Sequence, residues 1–265
     1  MAVFTELSLF SGAGGGLLGT RYLLGWRTVC YVEWDKYAVE VLKARIRDGY
    51  LDDAPIWDDV RTFDGRPWAG LVDVVSAGFP CQPYSVSGRM LAADDPRNGW
   101  PSTIRIIREV RPRIAWLENV PGLLSGRHGY FGTILEELDE AGYRVEWDCV
   151  SAEEVGAPHK RERVWILAYA KGEGRQCLAV ERKQNKKNTD LVGQGEDVSD
   201  TNGERLQKPK QERQLQGSIT KCDWWTVEPR LGRVVDGVAH RVDRLRAIGN
   251  GQVPRVVAEA WGRLK

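Results

Sequence analysis

The sequence has no Cys-x-x-Cys pair, no apolar run of membrane-spanning length and no surplus of either charge. Its five cysteines, at 30, 81, 149, 177 and 222, leave one over in any pairing. That argues against a disulfide frame and a zinc site, and for a reducing, cytoplasmic setting. The missing apolar run excludes a spanning helix, and Met-Ala-Val-Phe-Thr-Glu leads directly into strand-like sequence. A soluble protein without metal or membrane contact is therefore expected. Lysine and arginine (38) nearly cancel aspartate and glutamate (37). Bulk charge thus neither requires nor excludes nucleic acid, because a basic face can hide in a balanced total. At 265 residues there is room for one large α/β domain and a smaller appendage.

What is present is a series of short strands, each ending in residues that carry chemistry. Leu7-Ser-Leu-Phe-Ser-Gly-Ala-Gly-Gly-Gly16 reads as a strand entering a glycine-rich turn, with a helix over 17–24 and Gly25 as its cap. Such a turn lets backbone approach a ligand closely and presents the N–H groups of a helix start. The strand predicted over 28–34 reaches Glu33, about twenty residues after the first glycines. An acid in that place commonly binds ribose hydroxyls. The plainer reading is a tight turn beside a surface carboxylate. A short strand over 56–60 carries Asp58 and Asp59, which suit an adenine amino group or a cap equally well.

The stretch Asp73-Val-Val-Ser-Ala-Gly-Phe-Pro-Cys-Gln-Pro-Tyr-Ser85 is a buried strand that breaks at Gly78 and Pro80. It leaves Cys81 between two prolines at the carboxyl edge of a parallel sheet, where ligands collect in open α/β folds. Taken alone, Cys81 is more simply a structural thiol. Residues 92–100 read as a mobile loop and 102–110 as a helix laid over the sheet. Ile114-Ala-Trp-Leu-Glu-Asn-Val-Pro-Gly122 is the fifth strand and ends in Glu118 and Asn119. Desolvation there would raise a carboxyl group toward proton-donor range, unless Glu118 is a salt-bridged structural acid. A helix over 131–141 precedes a strand pair, 143–150 and 163–170. Arg161 and Arg163, two apart, would share one face at strand spacing and suit an anion or carbonyl clamp, or simply face solvent.

After Ala170 the composition turns polar. Residues 171–221 read as a linker or as a small module that orders on a polyanion, with two faint copies of one unit at 172–176 and 203–207. Trp224-Trp225 restarts apolar sequence. Residues 244–248 look strand-like, a glycine turn follows, and Pro254 opens a last amphipathic helix that packs back on the sheet.

Phe10-Ser-Gly-Ala-Gly-Gly, Gly78-Phe-Pro-Cys-Gln-Pro, Glu118-Asn-Val, Arg161-Glu-Arg-Val and Gly249-Asn-Gly-Gln-Val-Pro stand in the order and spacing of the DNA (cytosine-5) methyltransferases. The resemblance covers nearly all of the chain except 171–221. It implies a doubly wound, mostly parallel sheet of the Rossmann-like class I methyltransferase type. Residues 1–170 with 245–265 would form the catalytic domain, and 171–244 a small, reduced target-recognition region. It also implies S-adenosylmethionine as cofactor, a monomer acting on flipped-out cytosine in double-stranded DNA, and a restriction-modification or phage-like orphan role, the former with a cognate endonuclease. By resemblance Cys81 is the nucleophile that adds to C6 of the base. Glu118 contacts N3, Asn119 holds the cysteine loop, Arg161 contacts the base carbonyl, and Arg163 supports the site. Phe10, Gly12 and Gly14 match the cofactor loop, Glu33 the ribose contact and Trp34 a packing surface for adenine. Asp59 and Val60 match the adenine contacts, Pro80 the wall before the nucleophile, and Asn250, Gly251 and Gln252 the methionine side.

His159 stands where the family has glutamine, Tyr84 replaces the commoner phenylalanine, and the recognition region is short. The same parts serve tRNA cytosine-5 methyltransferases, and a catalytically silent DNA-binding regulator is a third reading. An NAD dehydrogenase would account for the glycine turn but not for Cys81 or Glu118.

Overall fold

The computed structural model describes residues 3–80, 98–125, 129–172 and 241–265, all within one compact unit of the chain. Cys81, the polar stretch beyond Gly172, Trp224-Trp225 and most of the 92–100 loop lie outside the described residues. A seven-stranded sheet runs in the order β3-β2-β1-β4-β5-β7-β6. Its strands are β1 (Thr5–Leu9), β2 (Arg27–Val32), β3 (Ile56–Trp57), β4 (Val74–Ala77), β5 (Ile114–Asn119), β6 (Tyr143–Val150) and β7 (Arg163–Ala170). Pairing is parallel from β3 to β5 and antiparallel across β5–β7 and β7–β6. This is the expected doubly wound, mostly parallel sheet. The carboxyl ends of β1, β2, β4 and β5 share one edge, so the sequence places its glycines, Glu33, Gly78 and Glu118 along that edge.

Burial follows the strand pattern. In β5 every residue except Glu118 is buried, as expected of a strand covered on both faces. The helix α3 (Trp100–Val110) covers the sheet with Trp100, Ile104, Ile106, Ile107 and Val110. Each such side chain stabilises the fold by about 1.5–3 kcal/mol relative to exposure. The helices α1 (Gly15–Tyr22), α2 (Lys36–Arg47) and α4 (Tyr130–Glu140) flank it. The last helix, α6 (Pro254–Leu264), buries Val256, Val257, Ala260, Trp261 and Leu264 against α1, β6 and β7. Trp261 stands edge-on to both Trp26 and Trp116, and Trp116 stacks on Trp165 with ring centroids 5.0 Å apart.

Two expectations are corrected. Residues 244–248 are helical: α5 spans Arg241–Asn250. Alternating apolar residues over five positions do not separate strand from helix, and β3 and β6 already close the edges of the sheet. The helix α1 ends at Tyr22 rather than at residue 24. The N–H groups of Leu23 and Leu24 both donate to Gly19 O, and Gly25 (φ +73°) carries the chain away beyond them.

Candidate active site

The turn after β1 is built from left-handed backbone. Phe10 (φ +53°), Gly12 (φ +55°) and Gly14 (φ +85°) reverse the chain, and Gly14 leaves the start of α1 without a side-chain cap. Glu33, just past β2, is buried and accepts from Gly12 N at 2.7 Å and from Asp35 N at 2.8 Å. Burial raises its pKa, and these backbone donors oppose the rise. Glu33 therefore fastens the glycine turn to the second strand from a position within reach of a ligand in that turn. Trp34 follows with 71% of its surface exposed, an open aromatic plane at the same corner.

Asp59 is engaged differently from its expected part. Its carboxylate forms an exposed pair with Arg61 at 2.7 Å, and hydrogen bonding from Arg61 holds its pKa below the ordinary value. Val60 packs against the core while its carbonyl accepts from Arg105 Nη2 at 2.8 Å. Pro80 accepts from Gly99 N, and a Cβ on Gly99 would lie 2.6 Å from Pro80 Cδ. That contact makes glycine obligatory where α3 meets the end of the cysteine-bearing strand.

The second half of the site is centred on Glu118. Its Oε1 meets Arg163 Nε at 3.0 Å and its Oε2 accepts from Gln252 Nε2 at 3.3 Å. Burial is the largest influence on this carboxyl and raises its pKa, while Arg163, Gln252 and Arg161 pull the other way. Glu118 is thus at once the desolvated acid and the ion-paired acid between which the sequence left a choice. The adjacent Asn119 is buried and donates Nδ2–H to Phe79 O at 2.9 Å, two residues before Cys81 in the chain.

The expected clamp by Arg161 and Arg163 is not formed. β7 begins only at Arg163, and Arg161 adopts φ +33°, so the alternation of a strand does not reach it. Arg161 instead donates from Nη2 to Gly249 O at 2.8 Å and to Gly251 O at 2.6 Å. Its partner Arg163 takes the carboxylate.

Those two carbonyls flank Asn250 and lead to Gln252, which lies against the glycine turn. A Cβ on Gly15 would meet Gln252 O at 2.6 Å, one on Gly16 would meet Gln252 Oε1 at 2.1 Å, and one on Gly78 would lie 3.0 Å from Gln252 Nε2. Phe10, Gly12, Glu118, Asn250, Gly251 and Gln252 consequently line one cleft, together with Ser8, Ser76 and Trp116. Glu33, Trp34, Asp59 and Val60 stand at the β2–β3 corner outside that lining.

Beneath the cleft lies a residue that sequence reasoning passed over. Glu6 on β1 is 1% exposed and accepts from Ser76 Oγ at 2.6 Å, Thr20 Oγ1 at 2.8 Å and Thr28 Oγ1 at 3.1 Å. Burial raises its pKa above the ordinary carboxylate value. The alternation Glu6, Ser8 along β1 was the available signal, since it puts both on one face.

A glycine turn after β1, an acid after β2 and an antiparallel β7–β6 pair beside five parallel strands define the Rossmann-like fold of class I methyltransferases. The chain matches the model of the C-5 cytosine-specific DNA methylase family over residues 4–252 and belongs to that family. It is 34% identical over 166 residues to the Type II methyltransferase M.NgoMIV of Neisseria gonorrhoeae, covering 62% of this chain and 51% of that protein. It is 35% identical over 164 residues to the Type II methyltransferase M.AplI of Arthrospira platensis, covering 62% and 45%. Among solved structures, a protein described as a DNA modification methyltransferase encoded within a prophage (E. coli) superposes with TM-score 0.51 at 25% identity, covering 63% of this chain and 47% of that one. The DNMT2 structure from Spodoptera frugiperda shares the fold, with TM-score 0.53, 22% identity and coverage of 64% and 50%. The aligned region spans about half the length of these relatives.

Proposed function

We propose that the chain is a DNA (cytosine-5-)-methyltransferase that modifies a flipped-out cytosine through a covalent Cys81 adduct at C6, as a restriction-modification or phage-type orphan enzyme. The observation that carries this reading is Glu118. A carboxyl group whose pKa burial raises above the ordinary value, placed at the end of β5, suits delivery of a proton to the base ring. Family membership supplies the substrate class. Asn119 supports the reading by tying Phe79 O, and with it the approach to Cys81, to the same strand end.

The residues present fit S-adenosylmethionine. The uncapped start of α1, the close-approach glycines, buried Glu33 and exposed Trp34 offer N–H donors, a carboxylate and an aromatic plane to a nucleoside with a charged tail. When bound, that cofactor supplies the methyl group. Glu33 would take the ribose, Trp34 the adenine face, and Phe10, Gly12, Gly14 and the Asn250–Gln252 turn the remainder. Asp59 would reach adenine by releasing Arg61.

The protein's own groups then divide the work. The Cys81 thiolate adds to C6 of cytosine, and the electron pair this pushes through the ring makes C5 nucleophilic. The Glu118 proton passes to N3, so negative charge does not accumulate on the ring. Loss of the C5 proton to solvent after methyl transfer re-forms the C5–C6 double bond and expels the thiolate, and N3 gives its proton back to Glu118. Arg163 stabilises the Glu118 carboxylate left behind. Arg161 acts from beneath the Asn250 turn rather than on the base.

The test is methyl incorporation from labelled S-adenosylmethionine into duplex DNA and into tRNA, followed by bisulfite sequencing. Incorporation at C5 of cytosine in DNA, abolished by Cys81→Ala, is expected. Incorporation into tRNA alone, or a Cys81→Ala variant of full activity, would overturn the assignment.

A further inference from the structure

Gln252 touches both halves of the site. Its amide oxygen lies at the start of α1, close enough that a Cβ on Gly16 would reach it at 2.1 Å. Its amide nitrogen donates to Glu118 Oε2 at 3.3 Å. The positive end of the helix favours the amide oxygen, which leaves the nitrogen for Glu118. The backbone that carries the side chain is held in place. Its own backbone carbonyl abuts Gly15, its nitrogen end abuts Gly78, and Arg161 grips the carbonyls of Gly249 and Gly251 just before it.

We propose that Gln252 is a positioning residue that couples occupancy of the glycine turn to the state of Glu118. Oε1 of Glu118 is committed to the Arg163 guanidinium, whereas among the described residues Oε2 accepts from the neutral amide, the longer of the two contacts. Oε2 is therefore the oxygen available to a base. A ligand group taking the helix start competes for the ground held by the amide oxygen, and the nitrogen at the other end moves with it. The charged groups facing Glu118 are Arg163 on β7 and Arg161 in the segment before it. Among the described residues neither is hydrogen-bonded to the glycine turn, whereas the Gln252 amide reaches both halves. By linkage, whatever Gln252 transmits from the turn to Glu118 it also returns. This inference rests on Glu118 as the proton donor of the reaction proposed above.

The test is a titration of the full chain labelled with ¹³Cδ-glutamate, with the Glu118 signal assigned by its loss in Glu118→Gln. In the unloaded protein, Gln252→Met removes a donor to the anion, so the Glu118 midpoint should move to higher pH. Gly16→Ala, which pushes on the flexible end of the same amide, should move it in the same direction. Adding S-adenosylhomocysteine should shift the midpoint in the wild type and leave it in place in Gln252→Met. A midpoint indifferent to Gln252→Met and to Gly16→Ala would overturn the proposal. The underlying reading fails on different evidence, namely a Glu118→Gln protein that methylates at the wild-type rate.

Discussion

Glu6 has the most unusual surroundings of any residue in the fold. A carboxyl group fully enclosed and ringed by three hydroxyls has its charged form penalised by desolvation, and that penalty dominates. Its folded pKa lies above its unfolded one, so the folded state holds its proton where the unfolded chain has released it. Stability from this source is complete below the ordinary carboxylate pKa and is lost as pH rises through the folded value. Glu6→Gln keeps the shape without the ionisation. Its urea midpoint should match the wild type near pH 4 and exceed it at pH 8, and a gap that stays constant across this range would refute the account. Glu33 and Glu118 share the direction of shift for the same cause, so the stability each contributes is likewise lost as pH rises. At this scale the sequence was partly legible. A polar residue ending an apolar strand marked Glu118 as a desolvated acid, whereas Glu33, read as a ribose contact or a surface carboxylate, is buried. What it could not reveal was their company: Gly12 N on Glu33, Arg163 and Gln252 on Glu118, and Arg61 on Asp59. Those contacts depend on how far each chain reversal carries its backbone.

At the level of elements, the meeting of α1 with α6 sets the position of the cleft. Gly19, inside α1, lies so near α6 that a Cβ would stand 2.7 Å from Pro254 O and 2.9 Å from Val257 Cβ. Gly19→Ala should therefore push the two helices apart. Overpacking of this kind costs about 1–3 kcal/mol, against the smaller gain in helix propensity. Gly16→Ala should cost less, because its obstacle is the far end of a flexible side chain rather than backbone. Denaturant midpoints of the two variants would check that order, and equal losses would contradict it. Strands and helices with a sustained period were readable from sequence: β1, β4 and β5 from apolar runs, and α3 and α6 from the spacing of their buried faces. The errors came where periodicity was short. Five residues at 244–248 read as strand and fold as helix. A two-residue spacing read Arg161 onto a strand that starts at Arg163, because no periodicity announces a positive φ.

Over the whole molecule, Arg161 ties together parts of the chain 88 and 90 residues apart, through two carbonyl contacts from one nitrogen. They hold the Asn250–Gln252 turn from one side, and the Gln252–Glu118 contact joins it to β5. Charged hydrogen bonds of this kind contribute about 1.5–3 kcal/mol. Arg161→Lys should weaken S-adenosylmethionine binding by at least about tenfold, the affinity equivalent of that energy. The unfolding midpoint should fall as well, since the same bonds are made in the folded protein without ligand. Calorimetric titration distinguishes this from a direct role on the base, which would lower turnover and leave cofactor affinity intact. The indole layer beneath the cleft has an optical consequence. Trp116 lines the cleft, its N–H has no hydrogen-bond partner among the described residues, and it is stacked at 23° on Trp165 with Trp261 edge-on behind it. Two nearly parallel chromophores at that distance share their excitation, and one of them borders the cleft. The protein carries its own emission gauge of cleft filling, readable without a dye.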